Sequence, residues 1–230
     1  MSTLFDLPGS HALVAGRAES YPVRRIHCVG RNYAEHAREM GGCGREPPFF
    51  FAKPADAVVS VATGAMGRAD YPPRTANLHH EVELVVAIGR AGRDIPPAAA
   101  AGHVFGYAVG IDLTRRDLQA ELKKKGQPWE LAKAFDQSAP IGVIHPVATC
   151  GHPATGRIWL AVNEVERQHG DLADMIWSVP EIIAELSGYV ELRPGDLIFT
   201  GTPAGVGPLV RGDRVSAGID GLDMLTLTIA

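Results

Sequence analysis

The chain has 230 residues, of which 46% are hydrophobic and 21% charged, with a formal net charge of −4. This is the balance of a soluble globular protein with a sizeable core, and it argues against a disordered tail or a polybasic nucleic-acid binder; the densest basic patch is Lys123-Lys124-Lys125. Three cysteines without a CxxC pair point to a reducing compartment, and no signal-like or membrane-length apolar stretch is visible, so the expected location is the cytoplasm.

In chain order, residues 1–24 read as a small lead-in segment and 25–230 as one β-rich unit. Strands are expected at 25–29 and 49–52, with a helix between them over 33–40. Asn32 and Glu35 resemble a capping box for that helix, Tyr33, Ala37 and Met40 share a stripe, and Gly41-Gly42 stop it. Further strands are expected at 82–88, 104–112, 157–162, 196–200, 213–217 and 222–229. Helices are expected at 117–125 and at 179–186, the latter opened by Ser178 with Pro180 in its first turn. Strands outnumber helices and do not alternate with them, which argues against a doubly wound sheet.

The stretch "NLHHEVELVVAIG" carries the first chemical signal. Side chains alternate along a strand, so Glu81 and Glu83 share a face that Val85 and Ala87 continue, while Val82, Leu84, Val86 and Ile88 line the other. A strand apolar on both faces is normally buried, and two neighbouring buried carboxylates repel unless a cation joins them; the alternative is a fraying edge strand whose glutamates face water. Asp112, at the end of the apolar run "VFGYAVGID", is the candidate third ligand; its alternative role is to cap the helix that follows. Three carboxylates form a hard oxygen set suited to Mg²⁺ or Mn²⁺, while His79 and His80 would favour zinc if they were ligands. His36 and Glu39 lie three apart on one helix, an arrangement for a carboxylate-oriented general base or for a surface pair. Lys133 stands in apolar company in "LAKAFDQSAP", where it either stabilises an enolate or merely snorkels. The loop "GTPAGVGPL" exposes backbone N–H groups that could hold a carboxylate, or it is a structural turn.

Together, "HCVGRNYAEHAREMG", "PPFFFAKPADAVV", "HHEVELVVAIG", "GYAVGIDLTRRDLQ", "KAFDQSAPIG", "GDLADMIWSVPEIIAELS" and "LRPGDLIFTGTPAGVGPL" resemble the fumarylacetoacetate hydrolase family, in its order, over roughly residues 25–215. The likeness is strongest to the bacterial fumarylpyruvate hydrolases and acylpyruvases. It implies a β-rich α+β fold, a mixed β-sheet roll with a short lid helix, assembled as a homodimer. It implies Glu81, Glu83 and Asp112 as ligands to Mg²⁺ or Mn²⁺, His36 and Glu39 as the water-activating dyad, and Lys133 as the catalytic lysine. It implies substrate contacts from Arg31, Gln119 and the backbone around Thr202, and Arg116 is a further candidate for a distal carboxylate. One departure is Asn163-Glu164, where the family usually has Asn-Gly, better suited to a type I′ hairpin.

The implied activity is hydrolysis of a C–C bond in a 2,4-dioxo acid, with fumarylpyruvate giving fumarate and pyruvate through an enolate whose charge falls on the metal and Lys133. Alternatives within the family are oxaloacetate decarboxylation or tautomerisation and hydroxydienoate isomerisation or decarboxylation. A different class is a non-catalytic, metal-stabilised organic-acid-binding protein. The expected partner is a small-molecule substrate, with neither nucleic acid nor membrane.

Overall fold

All seven residues of the Val82–Ile88 strand are buried, because both of its faces are apolar and both are covered. The computed structural model describes residues 4–34 and 45–230. Val82–Ile88 lies near the middle of an eight-stranded sheet in the order Phe49–Lys53, Arg25–Gly30, Asp196–Phe199, Val82–Ile88, Val104–Ile111, Ala139–Ile141 and Val58–Ser60, with His145–Pro146 also paired to Val104–Ile111. Arg25–Gly30 runs parallel to Asp196–Phe199, and Ala139–Ile141 runs parallel to Val58–Ser60; the other neighbours along the path are antiparallel, so the sheet is mixed.

One face of this sheet packs on a five-stranded sheet ordered Val165–Asp171, Arg157–Val162, Arg214–Ile219, Leu225–Ile229 and Gly67–Ala69. Val82, Leu84, Val86 and Ile88 meet Leu160, Val215 and Leu227 in that core, joined by Ile182, Ile183 and Leu186 of the Val179–Tyr189 helix. Val85 and Ala87 face the other way, into a second core with Ile26, Cys28, Phe199 and the leading residues Ala12, Val14 and Tyr21. Tyr21 ties that leading segment down, its one hydroxyl hydrogen shared between the carbonyls of Ile88 and Asp196 and its oxygen accepting from Gly195 N–H.

A small sheet of Thr114–Arg115, Leu78–His80 and Gly207–Leu209 sits beside the large one. Glu81 falls between Leu78–His80 and the expected strand Val82–Ile88, which belong to different sheets. Asp112 occupies the matching place between Val104–Ile111 and Thr114–Arg115, and its N–H donates to the Glu81 carbonyl at 2.8 Å. Two adjacent strands thus change sheet at neighbouring residues, which brings both carboxylates to one point.

Other boundaries moved little. The Val179–Tyr189 helix runs past the expected end, and the strand expected at 222–229 starts at Leu225, after a turn in which Gly221 is left-handed at φ 81°. Glu181 accepts from both the N–H and the hydroxyl of Ser178, the reciprocal half of the cap read from the sequence. The helix expected over 33–40 lies, from residue 35 onward, outside the described residues. No helix among the described residues is long and apolar enough to cross a membrane.

Candidate active site

Glu81, Glu83 and Asp112 are all buried and converge, one oxygen from each lying within 4.8 Å of the others. Buried charge has to be matched, and two lysines do so, one at each oxygen of Asp112. Lys133 Nζ lies 2.9 Å from Glu81 Oε2 and 2.6 Å from Asp112 Oδ2, and donates its remaining hydrogen to Thr114 Oγ1 at 2.7 Å. Burial opposes the charge on Lys133, but Asp112 and Glu81 hold its pKa above the usual lysine range. Lys53 Nζ lies 2.8 Å from Asp112 Oδ1 and also donates to the carbonyls of Leu113 and Lys133. Asp112 therefore holds two ammonium groups and does not cap the following helix, whose first turn instead carries Asp117 bonded to Thr75 and Ala76.

Glu83 is treated differently. It accepts Gly201 N–H at 2.7 Å, and no cation among the described residues is within ion-pair distance of it. Burial pushes its pKa well up, and Asp112 and Glu81 push it further. A buried carboxylate with one N–H donor, beside two more carboxylates, is a donor set that fits a divalent cation with hard oxygen preference. Gly201 makes that N–H available: its φ of 96° is left-handed, and a Cβ there would come within 2.7 Å of Asn32 Cβ.

The flanking polar groups are ordered around the triad. Arg116 donates to Glu81 Oε1 at 2.5 Å, to Gln119 Oε1 at 2.6 Å and to His79 Nδ1 at 3.3 Å. Burial and then Arg116 push the pKa of His79 down to about 4, so the ring is neutral and donates through Nε2 to Asn77 at 2.9 Å. His80 bonds Gln168; neither histidine belongs to the carboxylate cluster. With its oxygen taken by Arg116, Gln119 has no acceptor for its amide NH₂ among the described residues. Arg115 stacks on Phe135 and donates to the Leu131 carbonyl, away from the cavity.

A cavity of about 20 Å³ is lined by Glu81, Glu83, Gln119, Arg31 and Thr202, together with Phe49, Phe51 and Trp129. That volume is room for about one water-sized particle. Arg31, Phe49, Phe51 and Trp129 also line an open groove of about 450 Å³, so the two spaces are neighbours across these side chains. Arg31 has φ 58°, lies over the Phe49 ring at 5.6 Å, and its buried Nε has no acceptor among the described residues.

Residues 25–230 match the family model for the fumarylacetoacetate (FAA) hydrolase C-terminal domain. The chain belongs to the fumarylacetoacetate hydrolase family. Among solved structures of the family, a fumarylpyruvate hydrolase from Pseudomonas aeruginosa, in complex with Mn²⁺ and pyruvate, is 52% identical, with a TM-score of 0.98 over 100% of this chain and 99% of that one. Among curated members, the mitochondrial oxaloacetate tautomerase FAHD1 of Mus musculus is 46% identical over 199 residues, 86% of this chain and 88% of its own length. The oxaloacetate tautomerase YcgM of Escherichia coli is 42% identical over 212 residues, 92% of this chain and 95% of its own.

The structure thus gathers Arg31, Glu81, Glu83, Asp112, Arg116, Gln119, Lys133 and Thr202 around one centre of this fumarylacetoacetate hydrolase fold. His36 and Glu39 lie outside the described residues. Sequence reasoning missed Lys53 and Gln168. A lysine closing the apolar run "FFFAK" was a usable signal for the first; the second sits in the polar stretch "VERQHGD" and gave none.

Proposed function

We propose that the chain is a divalent-metal-dependent hydrolase that cleaves the C–C bond of a 2,4-dioxo acid, with fumarylpyruvate as the substrate and fumarate and pyruvate as products. The observation that carries this reading is Arg31, a partly buried cation whose Nε has no acceptor among the described residues, on the wall shared by the triad cavity and the aromatic groove. The space at the triad holds little more than one water-sized particle. In this reading the acyl tail lies along Phe49 and Trp129 in the neighbouring groove, where a terminal carboxylate meets a guanidinium suited to bind it by paired hydrogen bonds. Arg116 is the poorer candidate because Glu81, Gln119 and His79 already occupy it.

Glu81, Glu83 and Asp112 would hold Mg²⁺ or Mn²⁺, which when bound supplies Lewis-acid polarisation of the 2-oxo group. The Gln119 amide and the Thr202 hydroxyl bind and orient the oxo-acid end. The family resemblance assigns water activation to His36 and Glu39; in this reading His36 takes a proton from the water whose oxygen attacks C4. The C3–C4 bond then breaks, releasing fumarate, and the electron pair passes to the pyruvate enolate, whose C3 takes the proton held by His36 to give pyruvate. Lys133 acts as a fixed positive charge beside the developing enolate. Its three N–H groups are already placed on Glu81, Asp112 and Thr114, so this role needs no movement, whereas proton donation would require it to leave an acceptor.

Oxaloacetate tautomerisation is the second reading, favoured by the curated relatives. It needs the same enolate but neither the groove nor water activation. The test is a panel of acylpyruvates and oxaloacetate, with and without EDTA, followed by ultraviolet loss of the enol. Fumarylpyruvate should exceed acetylpyruvate in kcat/KM by roughly ten- to a hundredfold, the weight of one charge-assisted hydrogen bond. Arg31→Ala should erase that preference. Equal kcat/KM for the two in the unsubstituted protein, with faster turnover of oxaloacetate, would replace this reading by the tautomerase.

A further inference from the structure

Gln168 is fully buried, yet it stands on Val165–Asp171, an edge strand whose other residues are mostly exposed. Its amide makes four hydrogen bonds. Oε1 accepts from Val82 N–H at 3.1 Å and faces His80 Nδ1 at 2.8 Å; Nε2 donates to Thr202 Oγ1 at 2.8 Å and to the Pro203 carbonyl at 2.9 Å. Two of these partners are backbone groups of fixed polarity. An N–H only donates and a carbonyl only accepts, so Val82 and Pro203 together dictate which end of the amide is oxygen.

The polarity then propagates. Facing an amide oxygen, His80 Nδ1 carries its hydrogen. Facing an amide NH₂, Thr202 Oγ1 is an acceptor there, so its own hydrogen turns away from Gln168, and it has no acceptor among the described residues. Thr202 lines the cavity with Glu83, Gln119 and Arg31, which is where that hydrogen is left to point. Gly205 keeps the loop close: at φ 91° it passes the Arg167 carbonyl so tightly that a Cβ would come within 2.1 Å of it.

We propose that Gln168 is a positioning residue that makes the Thr202 hydroxyl an obligate donor to a carboxylate oxygen of a bound 2-oxo acid. The inference rests on the reading of this centre as a 2-oxo-acid site. A threonine hydroxyl left to itself rotates and offers either lone pairs or a hydrogen, whereas a carboxylate takes only donors. Gln168 removes the wrong choice before the anion arrives, and the carboxylate meets an oriented O–H without reorganisation.

The test uses Mn²⁺ and pyruvate as probes in calorimetric titrations of the unsubstituted protein, Gln168→Met, Thr202→Val and the double variant. Each single change should weaken pyruvate binding to the Mn²⁺-loaded protein roughly tenfold, the lower weight of a hydrogen bond to a charged group. Mn²⁺ affinity should stay within about twofold, and the double variant should bind pyruvate no more than about threefold worse than Thr202→Val, because both changes remove one bond. A full additional tenfold loss in the Thr202→Val background, a parallel loss of Mn²⁺ affinity, or unchanged pyruvate binding in either single variant would overturn the proposal. Should Gln168→Met not fold, neutron diffraction on the unsubstituted protein decides it: a Thr202 deuteron directed at Gln168 overturns the assignment, and one directed into the cavity supports it. A protein that shows this coupling but leaves fumarylpyruvate intact would overturn the proposed substrate and not the role of Gln168. Failure of the Mn²⁺-loaded, unsubstituted protein to bind pyruvate would overturn both.

Discussion

Each of the three carboxylates at the centre has a different neighbourhood, and that difference decides which one a substitution tests best. Asp112 holds two lysines, Glu81 holds Lys133 and Arg116, and Glu83 has a backbone N–H. Neutralising Asp112 or Glu81 would strand buried cations and confound metal loss with misfolding. Glu83→Gln strands none, because its amide oxygen can still accept from Gly201. The variant should therefore keep its fold and lose Mg²⁺ or Mn²⁺ affinity by roughly a hundredfold or more, the scale of removing a charged ligand, measured by calorimetry with circular dichroism as the folding control. Wild-type-like metal affinity would exclude Glu83 as a ligand. The Glu pair was legible because two carboxylates in an apolar strand violate the burial pattern, and Lys133 because it stood alone among apolar neighbours. Lys53 does the same electrostatic work and went unread because its run ends in Lys-Pro, which looks like an ordinary strand exit.

At the scale of elements, periodicity located strands with two apolar faces best: Val82–Ile88 and Arg157–Val162 have the expected bounds. The partner of the latter, Val165–Asp171, was invisible because it is an edge strand whose only fully buried side chain is polar Gln168. The change of sheet at Glu81 and Asp112 was equally hidden, since no local residue preference marks a strand that leaves one sheet for another. The hairpin joining Arg157–Val162 to Val165–Asp171 does keep the turn that Asn-Gly would favour: Asn163 has φ 50° and Glu164 has φ 67°. Left-handed backbone suits asparagine but strains glutamate, whose Cβ meets the neighbouring carbonyl. Glu164→Gly should relieve about 1 kcal/mol of strain and lose part of it to the greater freedom of glycine in the unfolded chain, for a net gain of about 0.5 kcal/mol. Denaturant midpoints would show it, with activity unchanged; a lower midpoint would mean that Glu164 has a compensating contact.

For the whole molecule, the centre lies where the large and small sheets and the Thr202 loop meet, so a cation there is held only while all three are assembled. Binding to the folded chain alone raises stability by mass action, about 2.7 kcal/mol at a metal concentration near a hundred times Kd. For a chain of this length each kcal/mol is worth about 2–4 °C, so Mg²⁺ or Mn²⁺ should raise Tm by about 5–11 °C. The pH dependence has a definite sign. Burial, then Asp112 and Glu81, raise the pKa of Glu83 in the fold above its ordinary 4.5. Without metal, the folded chain therefore binds a proton there that the unfolded chain has released, and that stabilisation fades as pH rises through the folded pKa. Metal needs the carboxylate and competes with that proton, so its stabilising increment moves in the opposite direction and grows over the same interval. The rise in Tm on adding metal should be smaller at about pH 5 than at about pH 8, and in Glu83→Gln it should be small at both. Scanning calorimetry at fixed metal concentration measures this, and an equal shift at the two pH values in the unsubstituted protein would show that Glu83 does not exchange its proton for the ion.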